Sequence, residues 1–594
     1  MENDSTSTYG DLIKEAFIDP IRSVLIIDDE YPTIEQVLEC QIENSDLKDY
    51  ENPTQILSAI KGLREGKPAL IVDTHDGSED IESGLEKYLH QSDLLVLDYE
   101  LDSDDGKKSI EITKKVFSND HFNMIVVHTS STPIKPFEKN LIALLAKCEK
   151  SENCQNKINE GTRLIEVAED EDPRVVDKIQ ATVGFQQYVT FRQDYRKCLK
   201  AIRSGEPPFS DFHELINDRS WKQREPNDIL YWALSDYEIR NAGSFGDGVA
   251  SAANWSLDFS GPLWIRTNKG FITFIQKKNE IKLLDELQTS LESWKPTPSR
   301  LLSAKLRAKI DDQGVIAEDH VLAKRHVHAK FYDDLYSEPN GNSRRAKIDS
   351  QIDRKIEDIT SLVKIEVADY LEKIVSIDLA ADGESLYQSH YGVDLKDKGQ
   401  NTEGVNKFNA YVSCYPTING WHLAPGHILE INDHKWICLS PVCDLVPSQK
   451  KSGIYGDVGD GKPFFAVKLH KKKRALDPSA INSNNFIFIP DRNNDGEVEQ
   501  YGFYEQKGTD PDKAVSPHWN LFVASGGGEF DHLHTLSVSR ISYVTSEVDN
   551  EEANMKVTKL SCQIVAQLRY EYALNLMQKF GSEFTRIGLG YISG

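Results

Sequence analysis

Three short and uninterrupted apolar runs near the start of the chain constrain its fold more than any other feature. They are Val24–Ile27, Leu94–Leu97 and Met124–Val127, and polar residues follow each of them at once. Runs of this length are typical of strands that are buried on both faces of a parallel sheet. Amphipathic helical patterns such as Thr33–Cys40 and Lys107–Phe117 lie between them. This alternation predicts a doubly wound α/β domain over residues 1–185.

The residues at the ends of these runs predict a cation and phosphoryl-transfer site. Asp28 and Asp29 follow the first run, Asp98 follows the second, and Thr129 follows the third after one residue. Because the carboxyl ends of parallel strands meet in one crevice, we expect these side chains to lie close together. Mg²⁺, which prefers oxygen ligands, relieves the repulsion between three carboxylates. A shielded Asp98 can then attack a phosphoryl donor, and the Thr129 hydroxyl can bond a phosphoryl oxygen.

The segments Ile26–Glu30, Leu95–Tyr99 and Val126–Ser130 together resemble the receiver domain of two-component response regulators. The resemblance implies a flavodoxin-like fold, Mg²⁺ held by Asp28, Asp29 and Asp98, phosphorylation of Asp98, and a reporting role for Thr129. It also implies a partner, which is a histidine-kinase-like or related ATPase. Asp98 and Thr129 lie 31 residues apart, which is similar to the spacing in that family.

Two features depart from the pattern of that family. Asp28 and Asp98 are 70 residues apart, which predicts an insertion around Asp73–Ser83. Lys135-Pro136-Phe137 resembles the family's Lys-Pro-Phe but follows Thr129 by only six residues. Either the domain is shortened there and Lys135 is the functional lysine, or that lysine lies further along the chain. A degenerate receiver that serves as an interaction scaffold without taking phosphate therefore stays open.

A second resemblance concerns the setting of the protein. Phe17–Arg22, Trp294–Pro298 and Gln567–Arg569 are similar to segments of large receiver-containing proteins from bacterial conflict systems, which are encoded beside kinase-like ATPases. This similarity implies a role in bacterial defence.

The middle of the chain predicts helices. Residues 186–340 mix helical patterns with a short β pair, and residues 341–404 are predicted to be one long helix followed by a linker at Ala380–Glu403. Apolar residues recur at helical spacing, at gaps of three and four, from Ile348 to Ile374. Such a stripe over 344–376 indicates either a homodimer seam or an intrachain core helix, and we expect this helix to relay the state of the receiver.

Residues 405–594 predict a β-rich barrel or sandwich with a closing helix. The expected strands are Ala410–Cys414, His427–Ile431, Lys435–Leu439, Phe464–Leu469, Phe486–Ile489, Trp519–Val523 and Leu536–Val538. The expected closing helix carries Ile564, Val565, Leu568, Tyr572, Leu576 and Phe580. A module that binds a protein or peptide is the default function of this region, and a receiver-regulated enzyme such as a nuclease is the alternative.

Three motifs in that region predict sites only weakly. Gly456–Lys462 has the spacing of a phosphate-binding loop, but Pro463 follows where Ser or Thr is needed. Asp491–Gly496 matches half of a calcium loop and is better explained as a hairpin turn. Cys438, Cys443, His532 and His534 could form a zinc set, although their spacing is loose.

Composition narrows the expected partners and compartment. The net charge is −26, which argues against direct binding to nucleic acid over the whole surface and favours proteins as partners. The eight cysteines include no CxxC pair, and the polar start Met1–Tyr9 is unlike a signal peptide. With no apolar run of membrane-spanning length, we expect a cytoplasmic signalling protein that is phosphorylated on Asp98 by a partner kinase.

Overall fold

The computed structural model describes residues 7–43, 53–78, 89, 92–101, 105–118, 122–148, 150–219, 221, 225–246, 254–255, 261–277, 282–322, 325–339, 341–381, 386–446, 459–472, 485–491, 497–505, 517–544 and 554–584. The chain divides into two units. The first comprises Met1–Lys309 and Glu366–Ala381, and the second comprises Ile310–Ile365 and Asp382–Gly594. None of the helices within the described ranges is long and apolar enough to cross a membrane.

A seven-stranded sheet forms the centre of the first unit. Its strands are β1 (Ser23–Ile27), β2 (Ile71–His75), β3 (Leu94–Asp98), β4 (Asn123–Thr129), β5 (Asn254–Trp255), β6 (Leu263–Arg266) and β7 (Gly270–Gln276). The order across the sheet is β2-β1-β3-β4-β7-β6-β5. The five strands from β2 to β7 pair in parallel, whereas β6 and β5 are antiparallel. The predicted parallel α/β fold is confirmed.

The strands are buried on both faces, as their apolar runs predict. In β1, Leu25 and Ile27 lie in one core while Val24 and Ile26 lie in another. The alternation arises because successive side chains of a strand point to opposite faces of the sheet. A strand that is covered on both faces has no polar side, so its sequence is apolar throughout.

Helices cover both faces of this sheet. Those of the first unit are α1 (Tyr9–Ile13), α2 (Ile34–Glu43), α3 (Pro53–Glu65), α4 (Lys107–Phe117), α5 (Ile134–Leu144), α6 (Glu152–Glu171), α7 (Val175–Thr182), α8 (Phe185–Gln193), α9 (Tyr195–Ser204), α10 (Ser210–Asp218), α11 (Glu225–Arg240) and α12 (Leu283–Trp294), with a π-helical turn at Lys14–Ile18. Two helices, α2 and α3, lie between β1 and β2, and this doubled crossover lengthens the separation of Asp28 and Asp98. The insertion expected around Asp73–Ser83 falls partly on β2, and residues 79–83 lie outside the described residues.

The sheet does not end at residue 185. Helices α6–α11 follow α5, and β7 then pairs in parallel with β4 over its full length. Residues 186–309, expected in a separate middle domain, therefore belong to the first unit. The fifth parallel strand, β7, thus lies beyond residue 185 and follows a long helical segment.

The second unit contains the predicted barrel. It is closed, in the order β10-β14-β15-β16-β8-β9, and a three-stranded sheet β11-β13-β12 accompanies it. The strands are β8 (His427–Ile431), β9 (His434–Cys438), β10 (Lys462–Lys468), β11 (His470–Lys471), β12 (Phe486–Pro490), β13 (Val498–Gly502), β14 (Trp519–Ala524), β15 (Thr535–Val544) and β16 (Asn554–Gln567). The remaining helices are α13 (Pro298–Leu322), α14 (Arg325–Tyr336), α15 (Gly341–Ala380), α16 (Leu386–Tyr391), α17 (Lys398–Ser413), α18 (Val442–Leu445) and α19 (Tyr570–Phe584), with a 3₁₀ turn at Gly526–Gly528.

Two local predictions in this region were wrong. Ala410–Cys414 is not a strand, because residues up to Ser413 continue α17, which begins with a side-chain cap from Asp397. Ile564 and Val565 lie in β16, and the closing helix begins only at Tyr570. Both residues are β-branched and suit a strand. The expected linker Ala380–Glu403 contains α16 and the start of α17.

The long helix is α15, and its apolar stripe has two different environments. Tyr370 and Ile374 are buried in the core of the first unit, as expected of an intrachain core helix. Ile352 and Ile356 are about half exposed, at 47% and 54%. A homodimer seam through 344–376 stays a prediction for the exposed part.

Candidate functional site

Four neighbouring parallel strands bring the candidate residues to one edge of the sheet. Asp28 follows β1, Asp98 ends β3, Thr129 ends β4 and Lys277 follows β7. Backbone hydrogen bonds continue the pairing up to these residues. The Asp28 amide donates to the His75 carbonyl at 3.0 Å, and the Lys277 amide donates to the Thr129 carbonyl at 2.7 Å.

The three predicted metal ligands lie together. Asp28, Asp29 and Asp98 each offer a carboxylate oxygen, and these oxygens lie within 4.8 Å of one another. Asp28 and Asp98 are buried while Asp29 is exposed. The Asp28 carboxylate is held from the backbone side by the Glu30 amide, which donates to its Oδ1 at 3.0 Å.

Lys277 is the lysine at this site. Its Nζ donates to Asp28 Oδ2 at 3.0 Å and lies 3.1 Å from Asp98 Oδ1. Burial alone lowers the pKa of a lysine, but the charges of Asp28 and Asp98 outweigh it and raise the pKa of Lys277 above its usual value. The ammonium is therefore charged at any ordinary pH.

Lys135 does not occupy that place. It lies in the first turn of α5, where its Nζ is 3.1 Å from Asp105 Oδ1 and both side chains are exposed. Lys139, one turn further, pairs with the same aspartate. Of the two alternatives left open by the sequence, the structure supports a lysine further along the chain.

The sequence does contain a signal that could have identified Lys277. Gly270–Gln276 is a largely apolar run with a polar residue at its end, like the three runs that identified the other strands. Its distance from Thr129 hid it, because helices α5–α11 lie between β4 and β7.

The pocket keeps an excess of negative charge. Burial, and next the negative charge of Asp28, raise the pKa of the Asp98 carboxyl to about 7, and Lys277 offsets them only in part. Among the described residues, Asp98 Oδ1 accepts no well-aligned hydrogen bond, although the Lys277 ammonium is close. Carboxylate oxygens with uncompensated charge are the ligands that Mg²⁺ prefers. Asp28, Asp29 and Asp98 therefore fit such an ion.

Thr129 ends the strand next to β3, at the same edge of the sheet as the carboxylates, and is held by neighbouring side chains. Its buried hydroxyl lies 3.1 Å from the Ser131 hydroxyl and donates to Glu100 Oε1 at a long 3.5 Å. Glu100 also accepts hydrogen bonds from the amide and the hydroxyl of Ser130. Although burial opposes it, these bonds lower the pKa of Glu100, so the carboxylate stays ionised. The loop after β4 is thereby tied to the loop after β3.

His128 is a neighbour that the sequence did not single out. Its Nε2 is buried without a hydrogen-bond partner among the described residues. Burial, and next the charge of Lys277, lower the pKa of His128 to about 4, so the ring is neutral at pH 7. A neutral ring adds no positive charge beside Asp98.

With this geometry in place, the first part of the chain can be compared with a known domain family. Residues 20–181 match the response receiver domain family. The chain contains a receiver domain. The match ends before β7, so the strand that carries Lys277 lies beyond it. Comparison with curated proteins and with solved structures finds no match for the chain.

The receiver domain supports a role in signalling and implies, in general terms, a kinase partner. The match covers the β1, β3 and β4 ends that carry Asp28, Asp98 and Thr129. It does not extend to the barrel, whose activity the family leaves open.

The structure adds little support for the phosphate-binding loop, the calcium loop or the zinc set considered in the sequence analysis. Within the described residues, the potential metal ligands that cluster at coordinating distance are Asp28, Asp29 and Asp98 of the receiver domain. Cys438, Cys443, His532 and His534 form no such cluster within the described residues. Cys438 is buried in β9 while Cys443 is exposed. Residues 456–458 and 492–496, which carry much of the two loop motifs, lie outside the described residues.

Proposed function

We propose that this protein is a cytoplasmic signalling protein whose receiver domain is phosphorylated on Asp98 by a partner kinase and acts through contacts with other proteins. The observation that carries the proposal is the pairing of Lys277 with Asp28 and Asp98 at the carboxyl edge of the sheet. This pairing supplies the lysine whose apparent misplacement was the reason to consider a degenerate receiver. That alternative loses its supporting observation.

The proposed chemistry is a transfer of a phosphoryl group to a carboxylate. An oxygen of ionised Asp98 attacks the phosphorus of the donor, a P–O bond forms, and the bond to the leaving group breaks with its electron pair leaving on that group. Asp28, Asp29 and Asp98 would hold Mg²⁺, which supplies charge neutralisation for the phosphoryl oxygens when bound. Lys277 contributes a second positive charge beside the attacking oxygen.

The proposed output begins at Thr129. A phosphoryl group on Asp98 adds negative charge and strong hydrogen-bond acceptors beside the Thr129 hydroxyl, whose bond to Glu100 is long at 3.5 Å. If the Thr129 hydroxyl donated its hydrogen bond to a phosphoryl oxygen and no longer to Glu100, the link between the loops after β3 and β4 would loosen. The rearranged surface is what a protein partner would recognise, with the long helix α15 as the proposed relay.

The setting in a bacterial conflict system rests on the resemblance at Phe17–Arg22. Phe17, Ile18 and Ile21 are buried in the core of the first unit, so the segment has a structural role as well. Co-purification with a kinase-like ATPase encoded beside the gene would support this setting.

Phosphorylation is tested with Mg²⁺ and a small phosphodonor such as acetyl phosphate, followed by intact mass measurement. We expect one phosphoryl group on the wild-type chain and none on Asp98→Asn or in the presence of EDTA. Asp73→Asn is the matched control, because Asp73 is an exposed carboxylate on the neighbouring strand β2. Equal labelling of Asp98→Asn and the wild type would refute the proposal.

A further inference from the structure

Three arginines gather at the edge of the sheet opposite to the carboxylates. Arg266 ends β6, while Arg300 and Arg307 lie on α13. The Arg300 guanidinium carbon is 3.8 Å from the centre of the Phe122 ring, and that of Arg307 is 5.6 Å from the same ring. Phe122 immediately precedes β4, so this arginine cluster lies at the amino ends of the strands.

Aromatic rings hold the arginine cluster in place. Arg266 lies over Trp294, with its guanidinium carbon 5.7 Å from the ring centre. Trp294 in turn stacks on Phe271 at 5.3 Å. Such stacking binds the planar face of a guanidinium and leaves the N–H groups at its edge free to donate.

The arginine cluster has no acidic counterpart within the described ranges. None of the three guanidinium groups there forms an ion pair with a carboxylate, and the buried Nε atoms of Arg266 and Arg300 have no hydrogen-bond partner. The charges that act on Arg300 are those of Arg307 and Arg266, which repel it. In a chain with a net charge of −26, three unpaired neighbouring cations are an arrangement that an anion would relieve.

The helix that carries two of them adds to the positive potential. Arg300 lies in the first turn of α13, a helix of 25 residues with no acidic residue in that turn. The amino end of a helix carries a partial positive charge, which favours anions and disfavours cations. Arg300 therefore stands where a lysine or arginine is least stable by itself.

The electrostatics of Arg300 agree with this geometry. Burial, and next the charges of Arg307 and Arg266, lower the pKa of Arg300 to about 10. The guanidinium still carries its proton at neutral pH. The free-energy cost of keeping this charge buried beside two other cations therefore remains until an anion binds.

We propose that Arg266, Arg300 and Arg307 form a binding site for a multiply charged phosphate anion, either inorganic pyrophosphate or the polyphosphate part of a nucleotide. Guanidinium forks match phosphate oxygens in geometry. Three cations and a helix end also match a polyvalent anion better than a single carboxylate. Since the Phe122 and Trp294 rings are already covered by arginines, recognition depends on charge and not on base stacking.

Isothermal titration calorimetry with the full chain tests this site, with inorganic pyrophosphate and ADP as the two probes. EDTA is present throughout, so that a metal at the receiver carboxylates cannot recruit the probe. Arg307→Gln and Arg266→Gln are each expected to weaken binding by about ten- to a hundredfold, the loss of one charge-assisted interaction. Arg307 is exposed, so its replacement leaves the fold intact even if Arg266→Gln perturbs it.

Arg203→Gln is the matched control, since it removes one exposed positive charge from α9 in the same unit. We expect its affinity to stay within about twofold of the wild type, as for a distant surface charge. The site is supported if either probe binds and its affinity falls in Arg307→Gln and Arg266→Gln but not in Arg203→Gln. The probe that binds more tightly shows whether pyrophosphate or a nucleotide is the preferred source of the phosphate. The proposal is overturned if neither probe binds at low salt, or if Arg203→Gln weakens binding as much as Arg307→Gln.

Discussion

At the scale of single residues, the central feature is one ammonium group that contacts two buried carboxylates. Lys277 contacts both Asp28 and Asp98, yet the pKa of Asp98 stays near 7 because burial and the Asp28 charge outweigh the lysine. The Asp98 carboxyl is thus harder to ionise than an ordinary aspartate. A bound divalent cation would favour the ionised form that phosphoryl transfer needs.

The first prediction separates the two lysines. Lys277→Gln should slow phosphorylation of Asp98 about ten- to a hundredfold, because one charge-assisted contact is lost and the Asp98 carboxyl becomes harder to ionise. The measurement is the initial rate of phosphoryl addition from acetyl phosphate with saturating Mg²⁺, followed by intact mass.

Lys135→Gln provides the comparison, since Lys135 is exposed and pairs with Asp105 on the surface. Its rate should match the wild type, as expected for the loss of an exposed ion pair. A large loss in Lys135→Gln together with a normal rate in Lys277→Gln would contradict the assignment.

At the scale of elements, β7 decides whether the receiver site is complete. It delivers Lys277 and packs closely against the start of β4. A Cβ at Gly270 would lie 2.4 Å from the Asn123 carbonyl oxygen and 2.6 Å from the Phe117 ring. β7 therefore begins at a position where neighbouring atoms leave no room for a side chain.

Gly270→Ala tests this close approach. The added methyl must push β7 away from β4, and such overpacking costs about 1–3 kcal/mol. Amide hydrogen exchange in 270–276 should accelerate accordingly, since exchange reports the free energy of local opening. Gly243→Ala is the control, because a Cβ there meets no atom within 4 Å. Unchanged exchange in Gly270→Ala would show that β4 and β7 can separate without cost.

The elements also show what the sequence can predict. β1, β3 and β4 were predictable because burial on both faces leaves a purely apolar run directly before Asp28, Asp98 and His128-Thr129. β7 obeys the same rule, but its place in the sheet depends on a pairing across the seven described helices α5–α11, which no local pattern encodes. Ala410–Cys414 failed for the opposite reason, since a short apolar stretch suits a strand or a helix equally and its Asp397 cap lies well upstream.

At the scale of the whole molecule, the first unit is completed by a segment far along the chain. The chain leaves that unit after Lys309 and returns at Glu366. The returning turns of α15 bury Tyr370 and Ile374 in its core, and the Tyr370 hydroxyl donates to the Leu12 carbonyl at 2.7 Å. The first unit therefore contains contacts between residues that are more than three hundred positions apart in sequence.

Tyr370→Ala should destabilise the first unit by about 3–5 kcal/mol, the usual cost of deleting a buried aromatic ring. Tyr370→Phe should cost about 1 kcal/mol, because it removes only the hydrogen bond. Hydrogen exchange of the slowest amides in β1, β3 and β4 measures both losses within the full chain. Leu379→Ala on the same helix should change nothing measurable, since Leu379 is 77% exposed. If Tyr370→Ala leaves those amides as protected as Leu379→Ala does, then the receiver fold is complete without α15, and the helix can move without disturbing the site.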